Sequence, residues 1–437
     1  MNRLEDQDPL NARRRRVVSL QTTNERGGAE YANVDLLETL AARGHEVVLL
    51  TNLPELAAGT QLAVREIDLG PKLSGRSVAQ VALLAPVILA RLARALYVER
   101  PVGTLLLHFK KEQLLCSLLP SRLTGMIVWA EWGPLPPQMR RGPARWAYAL
   151  AARRAHSVMA ISQGTMRTVV EAGVPASRVE LVPSVVDAEQ VSFDAVGRTR
   201  LREEWGVGDR TLVVGCVSRF QRRKRNDVII DALAHVEGDV LLVLAGEGEQ
   251  EDALRARAAR YGDRVRFAPN VRGHVEAFLS ACDLLVFAPS PTEGEPRAIV
   301  LAQLVGVPVI ATDSEGAEGL IAEGGGTIVS PSHDPSALAA TIDAYHADPE
   351  SRLREGYTAR EKVLESHDTE RTLSKIERVF GLSHEPEGAS SEDLPAKDAA
   401  ADEPRGPADA HVSGVRRVWR TPSRRSSRRS PASRKRR

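Results

Sequence analysis

The sequence predicts an α/β protein of two doubly wound domains, each an open parallel sheet covered by helices on both faces. Three observations lead there. Short β-branched and leucine-rich runs alternate with helix-patterned segments from Arg16 onward, as expected for buried parallel strands joined by crossover helices. The alternation lapses into a polar stretch after Asp187 and restarts at Thr211. Finally, 437 residues exceed what one core organises, so two domains and their tails are expected.

The first unit is the clearest. Residues 17–20 read as a strand, Gly27 and Gly28 as a loop, and 29–43 as a helix. Val34, Leu37, Leu40 and Ala41 recur at three-and-four spacing, which aligns them on one helix face for burial on the sheet. Gly44 suits a left-handed cap, and residues 46–51 supply the next strand of a right-handed βαβ unit. Further strands are expected at 104–107, 126–130, 157–161 and 179–182. The second domain takes 211–217, 240–245, 264–267, 284–287, 308–311 and 327–329. The expected organisation is a flexible lead over 1–15, a first domain over 16–195, a second over 205–382 and a tail over 383–437.

Composition narrows the class. With 43% apolar and 27% charged residues the chain can bury two cores behind a soluble surface. Cys116, Cys216 and Cys282 lie far apart in apolar stretches, which suits small core hydrophobes rather than a zinc site or disulfide framework. Glu5, Asp6 and Asp8 give the N-terminus no secretory pattern, so a cytoplasmic location is expected. The most apolar stretch, 81–97, is interrupted by Pro86 and carries Arg91 and Arg94, a poor membrane span and a better buried or surface helix. The tail turns acidic and then, from Arg416 to Arg437, arginine-rich, and is expected to be disordered. Its cations suit an anionic bilayer at the inner membrane surface, where each contributes about 1 kcal/mol; RNA and a merely solubilising role are the competing readings, and nucleic acid is disfavoured.

Three segments could carry chemistry. The loop Arg26-Gly27-Gly28-Ala29 lets backbone amides approach a phosphate at a helix N-terminus, although a plain tight turn reads equally well. It lacks the G-x-G-x-x-G of a nicotinamide site. Arg219 and Lys224 follow the first strand of the second domain, at the sheet edge where a guanidinium fork and an ammonium can clamp a diphosphate. A solvated basic loop is the alternative there, because Arg222, Arg223 and Arg225 surround them. The third segment, 289–300, turns through Glu293 and Glu295 into a helix starting near Pro296, whose first amides at Arg297, Ala298 and Ile299 offer phosphate donors. Val271, in the loop after the strand at 264–267, joins these as a donor-side residue.

Taken in order, the motifs resemble the retaining GT-B-type glycosyltransferases of family four, across residues 17–382. They are Gly27-Gly28-Ala29-Glu30, Arg43-Gly44-His45-Glu46-Val47, Ala160-Ile161-Ser162, Val182-Pro183, Arg219 with Lys224, Gly246-Glu247-Gly248, Asp283 and Gly306-Val307-Pro308-Val309-Ile310-Ala311-Thr312. The resemblance implies two Rossmann-like domains facing a cleft, with Gly27, Gly28, Arg219 and Lys224 holding the donor's diphosphate. It also implies catalytic placement for Glu293, near the donor sugar, and for His108, where many relatives carry a histidine facing that sugar. A packing or capping histidine is an equal reading of His108; Trp132 reads either as an acceptor-cleft wall or as a core residue.

The departures concern the ribose. Relatives carry a second glutamate eight positions after the first, and here that position is Leu301; Glu295 is on the wrong side of the turn to replace it. A leucine accepts no hydroxyl proton, so an interaction of about 1.5 to 3 kcal/mol is missing. Ser184-Val185 also replaces the usual Asn-Gly. The expected activity is hexose transfer with retention from a UDP- or GDP-sugar to a glycan, lipid-linked or small acceptor, as in polysaccharide biosynthesis. No metal or other cofactor is required in principle, because cations and helix N-termini can stabilise the leaving phosphate, and the lone Asp-x-Asp at Asp6 and Asp8 lies in the lead. The alternatives are a catalytically impaired GT-B-like binding or regulatory protein and a sugar-nucleotide epimerase.

Overall fold

The computed structural model describes residues 16–23, 27–186, 191–269, 271, 273–290, 294–321, 324–330 and 334–382. Two parallel sheets organise them. The first contains β1 (Arg16–Gln21), β2 (Glu46–Thr51), β3 (Ala63–Glu66), β4 (Thr104–Leu107), β5 (Met126–Glu131), β6 (Ser157–Ala160) and β7 (Val179–Leu181) in the order β3-β2-β1-β4-β5-β6-β7. The second contains β8 (Leu212–Val217), β9 (Val240–Ala245), β10 (Val265–Ala268), β11 (Leu284–Phe287), β12 (Val309–Thr312) and β13 (Gly326–Val329) in the order β10-β9-β8-β11-β12-β13. The expected strands form within one or two residues of their predicted bounds; β3 is the addition. Its four residues sit at the sheet edge with Arg65 and Glu66 exposed, so it carries none of the apolar run that marks a central strand.

Alternation along each strand feeds two cores, one per sheet face. Val18 and Leu20 pack with Leu105 and Leu107 on one face of the first sheet. Val17, Leu106 and Val128 pack on the other with Val34, Leu37 and Leu40 of the helix Gly28–Ala42. Gly44 follows that helix at φ +88°, the left-handed conformation expected of it. The second sheet divides likewise, with Val213, Leu285 and Val309 on one face and Leu212, Val214, Leu284 and Ile310 on the other. All three cysteines are free and buried, consistent with packing roles.

The apolar stretch forms the expected helix, and the last helix packs away from the sheet that precedes it in the chain. The helix Val78–Val98 runs unbroken through Pro86, burying Val81, Ile88, Leu92 and Leu96 while Leu83 and Val87 stay exposed. By length and composition it is apolar enough to cross a membrane, although it lies on the sheet by one face. The last helix, Thr369–Val379, leaves the second domain: Leu373, Ile376 and Phe380 join the core of Val34 and Leu37. Glu377 accepts from Arg43 at 3.3 Å and lies 3.1 Å from His45 Nε2, and Thr104 Oγ1 donates to Phe380 O at 2.7 Å. Thus residues 369–382 belong structurally to the first domain, and Arg43-Gly44-His45 is the surface that receives them. The lead and the tail beyond 382 lie outside the described residues.

Candidate active site

Each sheet reverses its strand order once, between β1 and β4 in the first and between β8 and β11 in the second. Open α/β sheets bind ligands outside the carboxyl ends of the strands at such a point. The segments singled out from sequence emerge there: Gly27 and His108 after β1 and β4, Arg219 and the 289–290 turn after β8 and β11.

The two edges meet. A Cβ placed on Gly27 would lie 2.8 Å from Glu30 Oε2, 2.9 Å from Arg219 Cζ and 3.0 Å from its Nη2, so the first domain's loop and this guanidinium are in close approach. Across the same gap, a Cβ on Gly294 would stand 2.2 Å from Trp132 O. Gly27's amide, expected to face a phosphate, donates instead to Glu30 Oε2 at 3.0 Å. A carboxylate at the start of a helix satisfies an orphan amide and the helix dipole together, so Glu30 occupies part of the positive region that an anion would use.

The loop bearing Arg219 is held from behind. Gly246 and Gly248 sit at φ +152° and +153°, and a Cβ on Gly246 would meet Ser218 O at 1.9 Å. Phe220 N donates to Glu247 O at 2.8 Å, and Gln250 N to Phe220 O at 2.9 Å. This is the physical content of Gly246-Glu247-Gly248: side chains there would collide with the cation-bearing loop. Lys224 follows with its Nζ 4.9 Å from the centre of the Phe287 ring, at the end of β11. Both predicted cations therefore stand at the second switch point.

The third segment differs from expectation in two places. Ile299 N donates to Pro296 O at 2.8 Å, closing the first turn, and is not a spare amide for a ligand. Arg297 and Ala298 keep amides without an acceptor inside the helix Arg297–Val305, while the Arg297 side chain crosses to Asp35 Oδ2 at 2.5 Å. Glu293 lies outside the described residues. Glu295 is turned away: it accepts from Ser184 N at 2.9 Å and faces His367 Nε2 at 3.3 Å, with its side chain 6% exposed. It ties both inter-sheet connections to the turn, a role that its place in the sequence did not reveal. Leu301 packs against the second-domain core. Val271 lines a separate cavity of about 510 Å³ with Trp205, Arg266 and His274.

His108 is buried and fully engaged. Trp132 Nε1, which can only donate, reaches its Nδ1 at 2.8 Å. Nδ1 is therefore unprotonated, and Nε2 carries the proton towards Ser19 Oγ at 3.0 Å. Burial pushes the ring's pKa down to about 3, which keeps it neutral. The expectation of a histidine facing the donor sugar meets a ring with both nitrogens paired inside the first domain, stacked at 6.0 Å on Trp132; in this geometry it is a positioning residue.

Asp283, another family-like position, has a structural role. It accepts from Arg198 and Arg202 at 2.8 and 2.9 Å and from Val213 N at 2.9 Å. Burial alone would raise its pKa, but the Val213 amide and the two guanidiniums outweigh that and hold it low.

Comparison with known proteins agrees with the two-sheet architecture. Residues 26–190 match the model for Glycosyltransferase Family 4, and residues 197–362 match that for Glycosyl transferases group 1. A GDP-mannose-dependent alpha-(1-6)-phosphatidylinositol monomannoside mannosyltransferase from Mycolicibacterium smegmatis is 29% identical over 54% of this chain and 63% of its own. A D-inositol 3-phosphate glycosyltransferase from Xylanimonas cellulosilytica is 32% identical over 42% of this chain. The matches span only 63% and 46% of the lengths of these two relatives. The crystal structure of Anabaena Alr3699/HepE in complex with UDP and glucose superimposes with a TM-score of 0.72 at 21% identity, covering 84% of this chain and 99% of that one. With its two switch points apposed, β2–β7 of the first sheet inside one family model and the whole second sheet inside the other, the chain belongs to the group 1, family 4 glycosyltransferases of GT-B fold.

Proposed function

We propose that the protein transfers a hexose from a UDP- or GDP-sugar, with retention of configuration, to a glycan, lipid-linked or small acceptor. The observation that carries this reading is the approach of Gly27 to Arg219, which apposes a helix N-terminus and two cations at the carboxyl ends of both sheets. Breaking the anomeric bond leaves charge on a nucleoside diphosphate, and fixed cations stabilise that charge most as it develops. Arg219 supplies a bidentate fork and Lys224 a compact charge. The resemblance gives Glu293 the role of contacting the donor sugar, and His108 holds Ser19 and Trp132 in place. GDP-mannose in the name of one relative and UDP with glucose in a structural neighbour support both nucleotides as candidates. The phosphatidylinositol monomannoside in the name of that relative supports a lipid-linked acceptor.

A second reading is favoured by Leu301, which packs on the core where relatives place a ribose-binding glutamate. It is a sugar-nucleotide-binding protein without turnover. Incubation with UDP-glucose and GDP-mannose, followed by NMR, separates the two. Release of nucleoside diphosphate with an α-configured product supports transfer. Binding without release supports the second reading, and no binding overturns both.

A further inference from the structure

At the amino edge of the first sheet, the end opposite its switch point, a cavity of about 480 Å³ is lined by Ser121, Arg153, Arg154, His156 and Arg178 among others. These residues lie in the segments that lead into β5, β6 and β7, which are neighbours in the sheet, so one parallel edge gathers them. Three guanidiniums meet here without a carboxylate partner among the described residues. Arg154 Nη2 donates to Leu119 O and Ser121 Oγ, both at 3.1 Å, and Arg178 Nη1 donates to Arg153 O and Ala155 O at 3.2 and 3.4 Å. The Arg153 side chain makes no hydrogen bond or ion pair among the described residues. Elsewhere such charges are neutralised: Arg198 and Arg202 share Asp283, and Arg257 pairs with Asp231. Arg178 caps carbonyls at the end of the helix Gly142–Ala152, but a helix end carries only about half an elementary charge and offsets a fraction of the three. Gathered like charge without a counter-ion disfavours the compact state.

The missing group is an anion, and its shape follows from the donors. Neutral oxygens fix Arg154 and Arg178 by one nitrogen each, which leaves the other N–H groups of both forks for a ligand. Guanidinium forks take phosphate oxygens in pairs, and the Ser121 hydroxyl and the His156 ring add donors. A carboxylate offers two oxygens and one charge; a phosphate monoester offers three oxygens and about −1.5 to −2 charge at pH 7, the better match to three cations. At about 30 Å³ per liquid water, the cavity holds roughly sixteen waters, room for a phosphate and part of the group that carries it. We propose that this cavity is a binding site for a phosphate monoester, carried by a soluble molecule or by a lipid headgroup, and separate from the switch points where Arg219 and Lys224 stand. The site stands whether or not the protein transfers a sugar.

Hydrogen-exchange mass spectrometry on the full chain tests it, because an anion held at Arg219 or by the arginines of 416–437 protects other peptides. The probes are glycerol 3-phosphate and phosphatidylcholine vesicles with and without phosphatidic acid, which present the same monoester free and lipid-borne. At least one should protect the peptides over 119–127 and 153–178 in the wild type. Arg153→Gln and Arg154→Gln should each weaken that protection by roughly tenfold in probe concentration. Arg153→Gln removes no hydrogen bond, so it keeps the test independent of folding. Arg167→Gln, an equal loss of charge at an exposed residue outside the cavity, should stay within about twofold of the wild type. Protection by glycerol 3-phosphate supports the site with a soluble ligand, and protection by phosphatidic acid vesicles alone supports it with a lipid headgroup. Protection by neither probe, or equal protection in the wild type and all three variants, overturns it.

Discussion

The two switch points are built from opposite materials. In the first domain the edge is a network of neutral or internally paired groups: His108 between Trp132 and Ser19, Glu30 on Gly27, Glu112 on Thr22. In the second it is a cationic loop packed against two positive-φ glycines, with Arg219 and Lys224 carried on it. Under the proposed function, the second edge would supply charge for the leaving diphosphate, while the first, with its side chains paired among themselves, would supply shape. Point changes at the two edges should therefore fail in different ways.

The largest effect is expected from the cations. Arg219→Ala or Lys224→Ala removes a charged contact worth about 2 to 5 kcal/mol, so donor turnover should fall by roughly 30- to 4,000-fold with the melting temperature unchanged. Turnover within twofold of wild type in both would break the assignment. Next is Gly294→Ala, whose Cβ would stand 2.2 Å from Trp132 O. Forcing the edges apart by about 1 Å should cost on the order of a hundredfold in kcat, while UDP or GDP affinity changes less. Glu295→Gln loosens the bridge to Ser184 and His367; a weakened charged hydrogen bond of about 1.5 kcal/mol predicts roughly tenfold in kcat/KM. Small-angle scattering with and without nucleotide would then report a changed separation of the domains.

The smallest effect on activity belongs to His108. Because its pKa is lowered to about 3 from 6.5, the unfolded chain binds the proton more readily between those values. Its contribution to stability is therefore complete above pH 6.5 and is lost as pH falls towards 3. Denaturant midpoints followed by pH should show that slope in the wild type and a shallower one in His108→Gln. The rate profile between pH 7 and 9 should carry no inflection that this substitution removes.

Most of the fold was legible because each central strand is buried on both faces and reads as an apolar run. β3 was not, since an exposed edge strand such as Ala63–Glu66 has no such run. The helix Thr369–Val379 has a strong amphipathic pattern, but a pattern names no partner, and its docking on Arg43 and His45 depends on contacts more than 300 residues apart in the chain. At the site, Gly27, Arg219 and Lys224 were found because switch-point positions are fixed by strand ends. Glu112 and Glu295 were missed or given no role: nothing local distinguishes a surface glutamate from one folded against Thr22 or Ser184. His108 follows β4 as read from the sequence, whereas its pairing with Trp132 depends on a rotamer that no spacing encodes.

The most direct measurement is a crystal structure of the chain with UDP or GDP. The account predicts the diphosphate between Arg219, Lys224 and the Gly28 amide, with Glu30 displaced from Gly27. A nucleotide bound elsewhere, such as the cavity beside Val271 and Trp205, with both cations out of contact, would contradict it.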